Sequence, residues 1–309
     1  MNVSLIVTVK NEADTIRSFL DSVAAQTRQP EEIVVVDGGS TDGTMSILSE
    51  YPLNMILETR PSNIAAGRNV AISQASGDVI AVTDAGCLLD RRWLERITDL
   101  QGADVVAGGY APVINGLFDA CQYSMHNIFR STDRIENFAI SSRSLAFRKI
   151  VWEELGGYPE WLDFSEDTYF HNRILASRFT IRLDPEPLVR WGLRPDLKSV
   201  GRQFFRYMRG DGKAGQHTGR HLARLTAYLA GLILVCMSFT NPLWLMPLAL
   251  GIVVYFGQPV ANFRRLGVYP LSLRAVLWMA ALLIVMDMAK MSGYVSGLVA
   301  GLRDSSIRP

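Results

Sequence analysis

No charged side chain occurs from position 225 to position 263, whereas the first 220 residues carry charge at ordinary density. A hydrocarbon core takes about 20 apolar residues per helical crossing. The run therefore suits two spans, with Asn241-Pro242 as a tight turn between them. It leaves no polar face to meet water, which argues against a greasy hairpin inside a soluble core. A third apolar stretch, 275–302, is broken by Asp287 and Lys290, whose i, i+3 spacing lets them pair. The chain divides into a soluble part, 1–215, and a membrane region of two or three transmembrane or interfacial helices, 216–309.

Lys plus Arg number 31 and Asp plus Glu 30, so net charge singles out no partner class and no nucleic-acid partner is expected. The distribution of charge is more informative. The basic region 198–224 and Arg264-Arg265 flank the first two spans on one side, which predicts that side as cytosolic. A third full span would put Arg303 and Arg308 on the other side, so partial interfacial placement of that segment stays open. Cys87, Cys121 and Cys236 are odd in number, far apart and without CxxC spacing. A disulfide framework is not expected, which suits a reducing compartment. The N-terminal VSLIVTV has neither a basic leader nor a small-residue cleavage site, so it does not read as a signal peptide.

The first half alternates two periodicities. The run 3–9 is β-branched-rich and continuous, as in a strand buried on both faces. Asp14 can cap a helix carrying Ile16, Leu20 and Val23 at helical spacing. Strands follow at 33–36, 55–57 and 79–83. A short helix capped by Thr41 or Asp42 and a longer one over 64–74 lie between them. Strand and helix repeated in this way predict a parallel sheet with helices on both faces.

In such sheets ligands bind beyond the carboxyl ends of the strands. VVVDGGSTDGT delivers Asp37 to such an end, followed by glycines that let the backbone turn and approach a ligand. DVIAVTDAG does the same with Asp84. Either acid alone can be a turn former or helix cap; two at neighbouring strand tips would make a polar crevice. Further on, SSRSLAFRK predicts a strand, IVWEELGGYP a short helix closed by Gly156-Gly157, and FSEDTYFHNRIL a helix from Ser165. FTIRLDP and LVRWGL read as edge strands. A basic helix is expected from Asp196 to about Arg209, with Leu197, Val200, Phe204 and Met208 on an apolar, membrane-facing side. Lys198, Arg202, Arg206 and Arg209 fall opposite. RGDGKAG reads as a Gly-rich linker.

VTVKNE, EIVVVDGGSTDGT, GRNVAISQASGDVIAVTDAGC and FSEDTYF, in this order and spacing, resemble the membrane-anchored family 2 inverting glycosyltransferases of GT-A fold type, over roughly 1–215. The resemblance implies an α/β fold: a mostly parallel GT-A sheet flanked by helices, followed by C-terminal transmembrane helices. It implies a nucleotide-sugar donor site of Val9, Glu12, Asp37, Gly39, Arg68 and Asp84, with Asp37 on the base and Arg68 near the base or phosphates. It implies catalysis by Glu166-Asp167, with Asp167 as the base. Gln203, Arg206 and Tyr207 resemble the QxxRW motif of processive members, with Tyr for Trp, and would lie by the acceptor and diphosphate. The implied location is the cytoplasmic (inner) membrane, multi-pass, with the catalytic domain facing the cytosol, beside membrane lipids and a lipid-linked or glycan acceptor.

The residues agree chemically with these roles. Inverting transfer needs one base for the acceptor hydroxyl and cations beside the leaving diphosphate. A carboxylate in the first turn of a helix is held ionised by the helix dipole. One departure stands out: Asp84-Ala85-Gly86 puts glycine where the family has a second Asp, its usual metal ligand. A divalent cation, Mg²⁺ or Mn²⁺, would rest on Asp84 with phosphate and water completing its shell. A non-catalytic nucleotide-sugar-binding subunit and an inert membrane scaffold are the competing readings.

Overall fold

The computed structural model describes residues 1–51, 55–57, 61, 63–126 and 140–303. Arg308 lies outside them. In chain order the elements are β1 (Val3–Val9), α1 (Ile16–Ala24), β2 (Glu32–Asp37), α2 (Thr44–Leu48), β3 (Met55–Leu57), α3 (Ile64–Gln74), β4 (Val79–Asp84), β5 (Cys87–Leu89), α4 (Trp93–Thr98), β6 (Val105–Val113), α5 (Leu117–Ser124), β7 (Leu145–Arg148), α6 (Lys149–Leu155), α7 (Glu166–Leu175), β8 (Ile181–Gly192), α8 (Leu197–Ala214), α9 (Thr218–Ser238), α10 (Leu245–Leu266) and α11 (Leu273–Arg303). Packing divides the chain into two units: Met1–Val113 with Phe129–Gly192, and Ile114–Ile128 with Leu193–Pro309.

The first unit is built on one sheet of order β3-β2-β1-β4-β7-β6-β8-β5. β1 pairs in parallel with β2 and β4, and β2 with β3. β7 is antiparallel to both its neighbours, and β6 is parallel to β8. The sheet is thus mixed, with its parallel half at the N-terminal end. The apolar run of β1 fills both faces: Val3, Leu5, Val7 and Val9 join Phe19 and Leu20 of α1, while Ile6 packs with Ile72 of α3 and Phe170 of α7.

Local readings are corrected in three places. The N-cap of α1 is Thr15, not Asp14. Asp42 does hold the start of α2, accepting from the Thr44 amide at 3.0 Å, but the N-cap residue is Gly43. The two expected edge strands are one strand, β8: Ile181–Asp184 pairs with β6, whereas Val189–Trp191 pairs with β6 on one side and β5 on the other and is interior. Its register on β6 jumps from Asp184 to Pro187. Prolines lack the N–H that a ladder requires, so the Pro185–Pro187 stretch bulges and the strand resumes beyond it.

Among the described residues, the second unit contains three helices long and apolar enough to cross a membrane: Thr218–Ser238, Pro242–Leu266 and Leu273–Arg303. The Asn241-Pro242 turn is present, with the Asn241 side chain accepting from the Leu243 amide. The apolar stripe of α8 is covered differently from the sequence expectation. Leu197, Val200 and Phe204 pack with Met279, Leu282 and Met286 of α11, while Lys198, Arg202, Arg206 and Arg209 are exposed. RGDGKAG is not a linker: α8 runs through it to Ala214 and ends on left-handed Gly215. Gly212 within it fits because α11 passes at backbone contact. A Cβ on Gly293 would meet the Phe205 carbonyl, one on Gly297 the Arg209 carbonyl, and one on Gly212 the Tyr294 carbonyl. Small residues allowing helix backbones to touch are a common basis for packing in membranes.

Asp287, near the middle of α11 and 1% exposed, does not pair with Lys290. Its carboxylate lies 3.1 Å from Arg224 Nε and accepts from the Tyr228 hydroxyl at 3.0 Å and the Tyr255 hydroxyl at 2.6 Å. Lys290 instead lies over the Phe204 ring, 4.9 Å from its centroid. One buried carboxylate thus ties α9, α10 and α11 together. Removing one partner of a buried ion pair costs about 3–5 kcal/mol because the other charge stays uncompensated. Asp287→Asn should therefore lower the thermal midpoint in detergent well below that of Tyr255→Phe, which removes one neutral donor. Equal midpoints for the two variants would show that the charge does not hold the helices.

Candidate active site

The strand tips set the geometry. Asp37 ends β2 in register with Val9, and Asp84 ends β4 in register with Thr8. The two acids are therefore not on neighbouring strands: β1 lies between them, which puts them roughly 10 Å apart at the usual strand spacing. The reason is the sheet order. β2 and β3 build out on one side of β1 and β4 on the other, so the tip of β1 is a topological switch point, where α/β folds place their ligands.

The loops beyond β1 and β2 are stitched to each other. Asn11, with φ of 56°, accepts from the Thr41 amide at 2.8 Å, and the Glu12 amide donates to Thr44 Oγ1 at 2.8 Å. Asp37, 4% exposed, accepts from the amides of Gly39 and Ser40 at 2.9 and 3.0 Å and from Ser40 Oγ at 2.5 Å. Its carboxylate thus organises its own turn, in which Gly39 takes φ of 83°. Glu12 accepts from Thr15 Oγ1 at 2.6 Å, and a Cβ on Gly86 would stand 4.0 Å from Glu12 Oε2. Glu12 therefore borders the space that Gly86 leaves open.

The centre of the site is Arg68 on α3, whose side chain is 3% exposed. Its Nη2 lies 2.9 Å from Asp84 Oδ1 and its Nη1 2.7 Å from Glu166 Oε1. Its guanidinium sits over the Tyr158 ring at 5.3 Å. Burial would lower its pKa, but Asp84 and Glu166 outweigh that and raise it. The next residue, Asn69, bolts down the approach to α7. Its Oδ1 accepts from the Tyr158 amide and from Trp152 Nε1, both at 2.9 Å, and its Nδ2 donates to the Tyr158 carbonyl and to Glu160.

α7 begins with the two acids. Ser165 takes a left-handed conformation, φ of 61°, which swings Glu166 inward to Arg68. Burial, with the charge of Asp167, pushes the Glu166 carboxyl up to about 7 against the pull of Arg68. Burial also acts to raise Asp167, but His171, Arg68, Arg143 and the Thr168 amide at 2.7 Å overcome it and hold Asp167 below the usual carboxylate range. Burial drops the His171 imidazole to about 4, and its Nε2 lies 3.3 Å from Ser142 Oγ, which also meets the Tyr158 hydroxyl at 2.9 Å. Arg143 approaches Asp84 Oδ2 at 3.8 Å and lies over the Trp191 ring at 5.3 Å.

Of the residues singled out in the sequence, the structure joins Arg68, Asp84 and Glu166, with Asp167 beside Glu166. Val9, Glu12, Asp37 and Gly39 line the tips of β1 and β2. Gln203, Arg206 and Tyr207 lie on α8 in the other unit, where Gln203 donates to the Tyr207 hydroxyl at 2.9 Å and accepts from Arg194 Nε at 3.3 Å. Asn69, Arg143, Tyr158, His171 and Trp191 were not foreseen. Asn69 stood in GRN beside Arg68, but nothing in SSRS or LVRWGL marked Arg143 or Trp191 for the site.

Among the described residues no three His, Cys, Asp or Glu side chains converge as a metal cage. Asp84 fits a divalent cation only in the form expected above. It is half-buried, Oδ1 is taken by Arg68, and Oδ2, with Arg143 at 3.8 Å, is the atom left to bind a metal.

The raised Glu166 pKa has a stability consequence. A carboxyl that binds its proton more tightly folded than unfolded stabilises fully below the unfolded pKa, near 4.5, and loses that contribution as pH rises through about 7. The urea midpoint of the protein in detergent should decline across this window, and Glu166→Gln should flatten the decline. An identical slope in the variant would remove Glu166 as its source.

A model described as Glycosyl transferase family 2 matches residues 4–153, which includes Arg68, Asp84 and Arg143. Glycosyltransferase AglE of Haloferax volcanii is 27% identical over 65% of this chain and 70% of its own length. The O-antigen chain rhamnosyltransferase WbaN of Salmonella anatum is 30% identical over 53% of this chain and 58% of its own. The chain thus spans little more than half of WbaN. Among solved structures, S. aureus TarS 1-349 in complex with UDP-GlcNAc matches with a TM-score of 0.53 at 21% identity, covering 99% of this chain and 92% of that one. The mannosyltransferase PcManGT of Pyrobaculum calidifontis, in complex with GDP-Man and Mn2+, matches with a TM-score of 0.54 at 20% identity, covering 98% and 87%. These two establish the GT-A fold. Residues 4–153 are thus similar to glycosyl transferase family 2.

Proposed function

We propose that the protein is a membrane-bound enzyme that moves a glycosyl group from a nucleotide-sugar donor, with inversion, to a lipid-linked or polysaccharide acceptor of the cell envelope. The observation that carries this reading is the Arg68 fork, which gathers Asp84 and Glu166, with Asp167 beside them, at the switch point of the sheet. The reading is supported by the donors held in TarS and PcManGT and by the O-antigen role in the name of WbaN. The basic flanks of the first two apolar helices favour a cytosolic catalytic unit at the cytoplasmic membrane.

In this reading the tips of β1 and β2, with Val9, Glu12, Asp37 and Gly39, receive the nucleoside, and Asp84 faces the diphosphate. Asp167 takes the proton of the acceptor hydroxyl while that oxygen attacks the anomeric carbon. The bond from that carbon to the diphosphate oxygen breaks on the opposite face, and its electron pair leaves with the diphosphate. Arg143, a planar fork of donors already beside Asp84, offsets the charge that develops there. A divalent cation on Asp84 Oδ2 would supply further neutralisation of the leaving group. Gln203, Arg206 and Tyr207 are assigned to the acceptor and diphosphate by their motif alone.

Gly86 favours a second reading, a nucleotide-sugar-binding subunit without transfer. One experiment separates the two. Purified protein in detergent is assayed with a panel of nucleotide-sugars and a membrane lipid extract as acceptor. Asp167→Asn should abolish transfer at saturating donor and change donor affinity less than about twofold, because the carboxylate acts on the acceptor. Wild-type levels of transfer by the variant would overturn Asp167 as base, and donor binding without transfer in the wild type would leave the second reading.

A further inference from the structure

Glu166 and Asp167 are adjacent in sequence but do different things. Asp167 is half-buried and bonds only to Thr168 of its own turn among the hydrogen bonds given above. Glu166 is turned inward, with its side chain 8% exposed, and meets Arg68 at 2.7 Å. A group so enclosed is poorly placed to take a proton from an acceptor. It is well placed to act on something that cannot move. Arg68 is such a group: its Nη2 is committed to Asp84, its face to Tyr158, and its helix is bolted to the 152–160 segment through Asn69.

We propose that Glu166 is a positioning residue rather than a catalytic one: through the buried Arg68 guanidinium it fixes the base Asp167 relative to the donor-side carboxylate Asp84. The inference rests on the function proposed above and adds a physical link between its two halves. Arg68 has two separate N–H groups on two acids from distant segments, the tip of β4 and the first turn of α7. A guanidinium holds both at fixed angles because it is planar. Lysine would keep the charge but cannot hold two acids in one plane. Since Glu166 and Asp167 are consecutive on one helical turn, whatever places the first places the second.

The charges around this link are Arg68 from α3, Asp84 from β4, Arg143 from the segment before β7, Tyr158 from the segment before α7, and His171 one turn along α7. Ionised Glu166 cancels part of the field of Arg68 at Asp167. Protonated, it stops being a strong acceptor for Arg68 and loosens the link. Transfer should therefore fall as pH drops through the range in which Glu166 takes up its proton, near 7. The sign is fixed: the ionised form is the competent one, so the acid side is the weak side.

The test is the pH dependence of kcat and donor KM for wild type, Glu166→Gln, Arg68→Lys and the double variant, all purified in detergent. Glu166→Gln preserves shape and an acceptor oxygen, and its circular dichroism and elution in the same detergent are compared with wild type to show that it is folded. It should lower kcat about 10- to 100-fold, the scale on which misplaced groups lose rate, while donor KM stays within about twofold. The inflection near pH 7 should disappear, because Gln does not titrate. Arg68→Lys should lower kcat by a similar factor, and the double variant should be no worse than the poorer single, since both break one link. If wild type transfers while Glu166→Gln keeps the wild-type kcat and inflection, the positioning role is wrong and the proposed function stands. Multiplying losses in the double variant would likewise show two independent roles. If the wild type transfers nothing from any donor, both proposals fall.

Discussion

A guanidinium taken almost wholly out of water needs compensation from groups that stay in place. Arg68 has it from two carboxylates at 2.9 and 2.7 Å and from the face of Tyr158. The consequence runs both ways. Removing either acid would leave buried charge unbalanced, and removing the arginine would leave Asp84 and Glu166 repelling each other with Asp167 beside them. The local fold around the site answers this constraint. The tip of β4 ends on Asp84 beside β1, α7 begins in a left-handed turn that points Glu166 inward, and Asn69 clamps the segment leading into that turn.

Much of this was legible in residues that act locally. The helix over 64–74 was readable as α3, and Asn63 accepts from the Ala66 amide at its start. β1 was readable because both its faces are apolar. Asp37 and Asp84 were readable as strand ends because glycine and small residues follow them. What the sequence hid is what depends on partners far along the chain. That β1 separates the two acids is a matter of sheet order. That the second half of β8 is interior depends on β5 returning to its far side. Arg143 enters the site only because β7 runs antiparallel to β4, which brings the segment before β7 to the tip of β4.

The membrane unit teaches the same distinction with different residues. Its first two apolar helices were visible from missing charge alone, and the third from an apolar stretch that Asp287 and Lys290 interrupt. The glycines at 210, 212 and 215 looked like a linker because glycine usually weakens helices. α8 continues through the first two, and at Gly212 the backbone of α11, including Gly297, lies against it, a compensation no local rule contains. Asp287 and Lys290 have helical pairing distance, yet Asp287 takes Arg224 and two tyrosines from other helices, which offer more hydrogen bonds to an acid removed from water.

The proposed donor site is the switch point at the tips of β1, β2 and β4. Photoaffinity labelling locates the donor, with azido-uridine and azido-guanosine diphosphate sugars cross-linked to the protein in detergent and the labelled peptides sequenced. Label is expected on peptides covering 9–15, 37–44 or 84–89, competed away by the unmodified donor. Competed label confined to peptides that form none of these strand tips, such as 95–102 at the opposite end of the sheet, would contradict it.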